Sequence, residues 1–169
     1  MWDIKSLDKN ELLEIKELVK SALKNNTDDL IESSNTLGYV VNCVLLPVEK
    51  NKKLVSILNS KTNSSIPNII SLHHITYVEG TCMKRHLDTA LVKHTYPTNG
   101  ITTIFLLEMC EEGGDFLLND INTNFNKPGT YISFNGNTTP HEVTEIKKGL
   151  REVVVLWYYP SNSTKKTII

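Results

Sequence analysis

The sequence predicts a mainly β fold, a jelly roll or barrel with helices packed outside its sheets. Three observations carry this. After Pro67, short apolar, β-branched segments follow one another, separated by Gly, Asn and Pro. No helical pattern lies between those segments, which disfavours a parallel sheet and favours antiparallel connections. The helical patterns all fall ahead of Pro67.

Taken in order, the first element is a helix. Leu12, Ile15, Val19 and Ala22 recur at helical spacing, and Leu18 and Leu23 widen the stripe. Asp8 followed by Glu11 has the form of a capping box. The helix should end near Asn25 and Asn26, and the polar stretch Asn25 to Asn35 reads as a loop. Tyr39 to Leu46 is β-rich and bounded by Gly38 and Pro47, so a strand is expected there. Pro47 suits the first position of a second helix. Leu54, Ile57 and Leu58 would form its buried face, with Lys50, Lys52 and Lys53 in solvent. Strands are then expected over Ile69–Val78, Ile101–Glu108, Phe116–Leu118, Thr130–Phe134, Val143–Ile146 and Glu152–Tyr158. The organisation expected is a helix and loop over 1–36 packed on a β domain over 37–160, followed by a polar tail over 161–169.

A chain of 169 residues suffices for one domain with a real core. Lys and Arg number 18 against 19 Asp and Glu, so no basic excess points to nucleic acid or an anionic membrane as partner. No apolar run approaches the roughly 20 residues that span a bilayer. Met1 to Lys9 is polar and has no signal-peptide core, so a cytoplasmic protein is expected. Cys43, Cys82 and Cys110 are odd in number and lack metal-pair spacing, and read as unpaired thiols.

The most informative stretch is His86-Leu87-Asp88. On a strand or at its end, residues i and i+2 point to one face, so a His nitrogen and an Asp oxygen can bind one metal. By itself the tripeptide is weak. His141, in Thr139-Pro140-His141-Glu142-Val143, stands at the start of a later expected strand. Two His and one carboxylate make the facial triad of non-haem iron(II) sites, which leaves three metal positions for co-substrate and O₂. Arg151 leads a strongly apolar strand, and a guanidinium entering a β core needs an anion. That anion could be a dicarboxylate co-substrate, or a local carboxylate such as Glu145 or Glu152. His73 and His74 fall on opposite faces of a strand, one as core or pocket wall and the other exposed. Arg85 should point away from the metal. His94 reads as a surface residue in a loop, Leu91 to Gly100, that could face substrate.

Read together, Tyr77-Val78-Glu79-Gly80, His86-Leu87-Asp88, Glu112-Gly113-Gly114-Asp115, Pro128-Gly129, Pro140-His141-Glu142-Val143, Arg151 and Trp157 resemble the prolyl hydroxylase branch of the 2-oxoglutarate dioxygenases. Arg151 to Tyr158 and Pro-His-Glu-Val are similar to the hypoxia-type prolyl hydroxylases in particular. The resemblance implies a double-stranded β-helix with Fe(II) and 2-oxoglutarate at its open end. It implies Fe(II) held by His86, Asp88 and His141, and Arg151 paired with the distal carboxylate of 2-oxoglutarate. Tyr77 would contact the co-substrate and Trp157 would line the pocket, although either could be plain core. The implied reaction uses O₂, with ascorbate as reductant, to hydroxylate a prolyl residue of a protein or peptide while 2-oxoglutarate becomes succinate. The alternatives are an oxygenase acting on a small molecule or another residue type, and a non-catalytic jelly-roll binding module. Three positions depart from the family pattern. Phe116 stands where many members have Thr, Leu106 where hypoxia-type relatives have a co-substrate Tyr, and Val155 where they have Thr. These changes imply a drier co-substrate pocket.

Overall fold

The computed structural model describes residues 2–25, 30–32, 42–62, 69–88 and 100–159. Most of the expected loop after the first helix, Tyr39 to Val41 of the expected strand, His94 with Leu91 to Asn99, and the tail over 161–169 lie outside the described residues.

The elements in chain order are β1 (Ile4–Ser6), α1 (Lys9–Asn25), β2 (Leu30–Glu32), β3 (Asn42–Leu45), α2 (Lys52–Thr62), β4 (Ile69–Tyr77), β5 (Met83–His86), β6 (Ile101–Glu108), β7 (Glu112–Gly113), β8 (Phe116–Leu118), β9 (Ile121–Asn122), β10 (Thr130–Phe134), β11 (His141–Val143), β12 (Ile146–Lys148) and β13 (Arg151–Tyr158). A seven-stranded sheet has the order β1-β10-β6-β13-β4-β3-β2, and a four-stranded sheet the order β5-β11-β8-β9. β12 and β7 form a separate pair. Every pairing among the described residues is antiparallel. This is the mainly β, jelly-roll architecture with outer helices that the strand rhythm predicts. No described helix is long and apolar enough to cross a membrane.

Side-chain alternation explains the layers. Along β13, Val154, Leu156 and Tyr158 join Ile15, Val19, Leu54 and Leu58 in a core between the large sheet and the helices. Val153, Val155 and Trp157 point the other way, into a core shared with Phe116, Leu118 and Val143 of the small sheet. β6 divides likewise, with Phe105 and Leu107 under the helices and Ile104 and Leu106 in the interior between sheets. Val154, Leu156, Phe105 and Leu107 are each fully buried, worth about 1.5–3 kcal/mol apiece.

The capping box forms as the sequence predicts. The Asp8 amide donates to Glu11 Oε2 at 2.9 Å, and the Glu11 amide donates to Asp8 Oδ1 at 2.9 Å. Four expectations need correction. The expected loop over Asn25 to Asn35 carries a strand, β2, which pairs with β3 at the edge of the large sheet. Pro47 does not open α2. Its carbonyl accepts from the Lys50 and Asn51 amides, which closes a turn, and the helix starts at Lys52. Val55 accordingly joins Leu54 and Leu58 in the buried face, while Ile57 is half-buried. The segment Val143 to Ile146 is two strands rather than one. The Thr144 amide turns to Asp115 and the Ile146 amide to Thr81, so β11 and β12 pair in different sheets. Finally, neither His73 nor His74 is exposed. His74 is buried and meets Glu152 Oε1 at 2.6 Å, and His73 is half-buried.

Candidate active site

β5 ends at His86 and β11 begins at His141, and these two are cross-strand partners. Asp88 follows two residues beyond His86, with its amide donating to the Gly136 carbonyl at 3.0 Å. Asp88 Oδ1 lies 3.3 Å from His141 Nε2 and 3.7 Å from His86 Nε2, and the three side chains are 1%, 6% and 5% exposed. All three potential ligand atoms lie within 4.8 Å of one another.

The hydrogen bonds around the cluster fix which atoms face inward. His86 Nδ1 sits 2.8 Å from the Lys84 carbonyl, and His141 Nδ1 sits 3.0 Å from the Thr139 carbonyl. A carbonyl only accepts, so each ring carries its proton on Nδ1 and keeps the Nε2 lone pair for the cluster. Asp88 Oδ2 accepts from the Thr102 hydroxyl and from Trp157 Nε1, the latter at 3.0 Å. A side chain at Gly136 would overlap both Asp88 Oδ2 and the Thr102 hydroxyl, so only glycine fits there.

Burial, and then the neighbouring His141, lower the His86 pKa and hold the ring neutral. Burial alone would raise the Asp88 pKa. The proximity of His141, with the donors Thr102 and Trp157, outweighs it and holds the carboxyl below its usual range. Neutral imidazoles and an ionised carboxylate are the protonation states that bind a cation. Two nitrogens and one oxygen converging from one side fit Fe(II) in a three-ligand site.

Arg151 is fully buried in the same interior. Its Nη1 reaches Met109 Sδ at 3.7 Å, and its guanidinium carbon lies 5.5 Å from the centroid of the Phe125 ring. Nε and Nη2 have no hydrogen-bond partner among the described residues. Those two N–H groups form one side-on fork of the kind that grips a carboxylate. Of the local carboxylates, Glu152 is committed to His74. Burial lowers the Arg151 pKa, opposed by Tyr77, Cys110 and Asp115. Tyr77 is the cross-strand partner of Arg151, and burial raises its pKa and keeps its hydroxyl protonated. A side chain at Gly114 would press on Cys110 Sγ and Ile146 and come within 3.6 Å of Arg151 Cδ, which accounts for that glycine.

A run of aromatic rings joins the two ends. His141 and Phe116 are 6.1 Å apart, Phe116 and Phe125 5.9 Å, and Phe125 and the guanidinium 5.5 Å. Phe134 packs on His141 at 4.8 Å. Leu106 and Val155 belong to the same apolar core. The structure thus gathers His86, Asp88, His141, Arg151, Tyr77 and Trp157 on one interior. Trp157 reaches Asp88 with its N–H and meets the His73 ring edge-on at 4.7 Å. His73 Nδ1 lies 3.3 Å from Cys43 Sγ, and burial pushes its pKa down to about 4. Arg85 points away and pairs with Asp120 at 2.8 Å. Sequence reasoning missed Thr102 and Gly136. Their only signal is spatial, because Thr102 is the cross-strand partner of Trp157.

No family model and no curated protein matches the chain. Solved structures do. A prolyl-4-hydroxylase from Pseudomonas putida superposes with a TM-score of 0.62 at 15% identity, over 94% of this chain and 91% of that one. A prolyl hydroxylase from Trichoplax adhaerens, in complex with a hypoxia-inducible-factor peptide fragment, gives 0.61 at 17% identity, over 96% and 87%. A non-haem α-ketoglutarate-dependent carbocyclase from nogalamycin biosynthesis gives 0.69 at 11% identity, over 96% and 83%. The chain therefore has the fold of the 2-oxoglutarate–iron(II) oxygenases, the prolyl hydroxylases among them.

Proposed function

We propose that this chain is an Fe(II)- and 2-oxoglutarate-dependent dioxygenase that hydroxylates a prolyl residue in a protein or peptide. One observation carries the reading. A buried cluster of two imidazole Nε2 atoms and a carboxylate oxygen shares its interior with a buried arginine whose side-on fork has no partner among the described residues. His86, Asp88 and His141 would hold the metal, and Arg151 would take the distal carboxylate of 2-oxoglutarate. Fe(II) with 2-oxoglutarate and O₂ supplies the oxidising chemistry, which yields succinate, CO₂ and a hydroxylated substrate carbon. Ascorbate fits as the external reductant. The chain's own contribution is binding, orientation and exclusion of water. The Tyr77 hydroxyl stays protonated beside Arg151 as a donor, and Phe116, Phe125, Leu106 and Val155 keep the compartment dry. That dryness strengthens the attraction between a carboxylate and Arg151. The three cysteines are unpaired, which goes with a reducing, cytoplasmic setting.

The prolyl assignment is supported by Pro140-His141-Glu142-Val143 and the Arg151 strand, and by a similar enzyme's complex with a peptide. The likeness to a carbocyclase favours a second reading, an oxygenase of the same class acting on a small molecule. The test is succinate formation by anaerobically purified protein given Fe(II), 2-oxoglutarate and O₂, with and without proline-containing peptides. Peptide-dependent succinate with a +16 Da product is expected. Succinate that no peptide stimulates would turn the assignment to a small molecule. No succinate, with metal bound, would leave a binding module.

A further inference from the structure

The two oxygens of Asp88 face different surroundings. Oδ1 looks toward both imidazole Nε2 atoms, at 3.3 and 3.7 Å. Oδ2 lies on the other side and accepts two hydrogen bonds, from the Thr102 hydroxyl and the Trp157 indole N–H. These two donors are direct partners across the β6–β13 ladder, so one register places both. Asp88 is 1% exposed, which leaves little room for water to compete. Gly136 closes a third side, because any Cβ there would overlap Oδ2 and the Thr102 hydroxyl, and its carbonyl holds the Asp88 amide at 3.0 Å.

A carboxylate can bind a cation through one oxygen or through both. We infer that Thr102 and Trp157 are positioning residues that lock Asp88 into one-oxygen coordination and so keep open the metal position its second oxygen would take. This rests on the metal reading above. On that reading three of six positions belong to the protein, and a chelating co-substrate with O₂ needs the other three. A two-oxygen Asp88 would leave one too few. An indole N–H donates only, so Trp157 cannot swap its role, and it always presents a proton to Oδ2. The same two bonds hold the carboxylate in place before metal arrives, a known way in which outer residues raise metal affinity.

Mn(II) tests this directly, because it is paramagnetic and water-proton relaxation reports both its affinity and the number of waters on the bound ion. Wild type, Thr102→Val, Thr102→Ser, Trp157→Phe and His86→Ala would be titrated without co-substrate, each checked for fold by circular dichroism. Valine keeps the β-branched shape of threonine and removes only the hydroxyl. Wild type and Thr102→Ser should bind with similar affinity and hold about three waters. Thr102→Val and Trp157→Phe should bind roughly 10–100-fold more weakly and hold one water fewer. If both match wild type while His86→Ala binds weakly, the inference falls and the metal reading stands. Weaker binding with an unchanged water count also overturns the one-oxygen lock. If wild type shows no saturable Mn(II) binding, or His86→Ala binds as well as wild type, the metal reading falls and takes the inference with it.

Discussion

The two ends of the interior between the sheets are built on opposite terms. At the triad, each histidine Nδ1 and the outer oxygen of Asp88 has a partner supplied by the chain. At Arg151, a fully buried cation has a sulfur contact and a ring face, and its Nε and Nη2 have no partner among the described residues. Desolvating an ion costs several kcal/mol, and an opposite charge offsets that cost only when it is present. The triad end is thus complete in geometry before any ligand binds. The Arg151 end has no carboxylate on its fork among the described residues, and on the proposed function the co-substrate completes it. A preorganised end and a ligand-completed end respond differently to substitution, and that difference can be measured.

The largest effect should come from His86→Ala, which removes one of the three proposed metal ligands. Substrate-coupled succinate formation should be lost, and activity at the wild-type level would take His86 out of the site. Arg151→Met comes next, since methionine keeps much of the volume and none of the charge. The KM for 2-oxoglutarate should rise roughly a hundredfold, about 3 kcal/mol for a charged partner left alone. The ligand-free variant should melt at the same or a higher temperature than wild type, because a buried unpaired charge has been removed. A clear fall in melting temperature would instead mean that Arg151 is paired within the chain, which would erase the contrast between the two ends.

A smaller effect is expected from ligand itself. With Mn(II) present, 2-oxoglutarate at about a hundred times its Kd should stabilise the wild type by about 2.7 kcal/mol. For a chain of this length that corresponds to roughly 5–10 °C in Tm. The shift should vanish in Arg151→Met, and calorimetry would show it.

The smallest effect concerns pH in the metal-free protein. His73 is pushed from 6.5 down to about 4 by burial, so the folded chain leaves it neutral where the unfolded chain protonates it. Unfolding then takes up a proton, and stability falls as pH drops from 6.5 toward 4. His86, also lowered by burial, acts in the same direction. The loss should be about 1 kcal/mol per pH unit for each such group. Urea midpoints at pH 7.5 and pH 5 would measure it, and His73→Gln should flatten the profile. A variant with the wild-type slope would mean that His73 is already open to water in the folded chain.

Much of this site is legible in the sequence because its elements are local. His86 and Asp88 are two residues apart on a strand end, and His141 carries its own flanking motif. Arg151 announces itself as a charge at the head of an apolar strand. The capping box at Asp8 and Glu11 is local too. What was not legible depends on register. Nothing in Thr102 or Trp157 says that β6 and β13 pair so as to set them side by side, or that both meet Asp88, 69 residues before Trp157. Gly136 likewise reads as a turn glycine until the carboxylate beside it is seen. The break between β11 and β12 is hidden because Val143 to Ile146 holds three β-branched residues and no Gly, Asn or Pro, while its amides turn to Asp115 and Thr81. Alternation alone puts one of His73 and His74 in solvent, because the elements that cover the two faces of β4 lie far from it in sequence.

The alternation of β13 has a consequence for how this protein can vary over time. Val154, Leu156 and Tyr158 touch the helix side, whereas Arg151, Val153, Val155 and Trp157 line the interior of the site. Selection on stability acts on both sets, but selection on activity acts on one. A saturation library scored separately for abundance and for turnover should show an even abundance profile along the strand and a turnover profile that repeats every second residue. The helix-side half of the core is then free to drift and repack, which is one route by which sequences can diverge widely while the interior of the site stays the same.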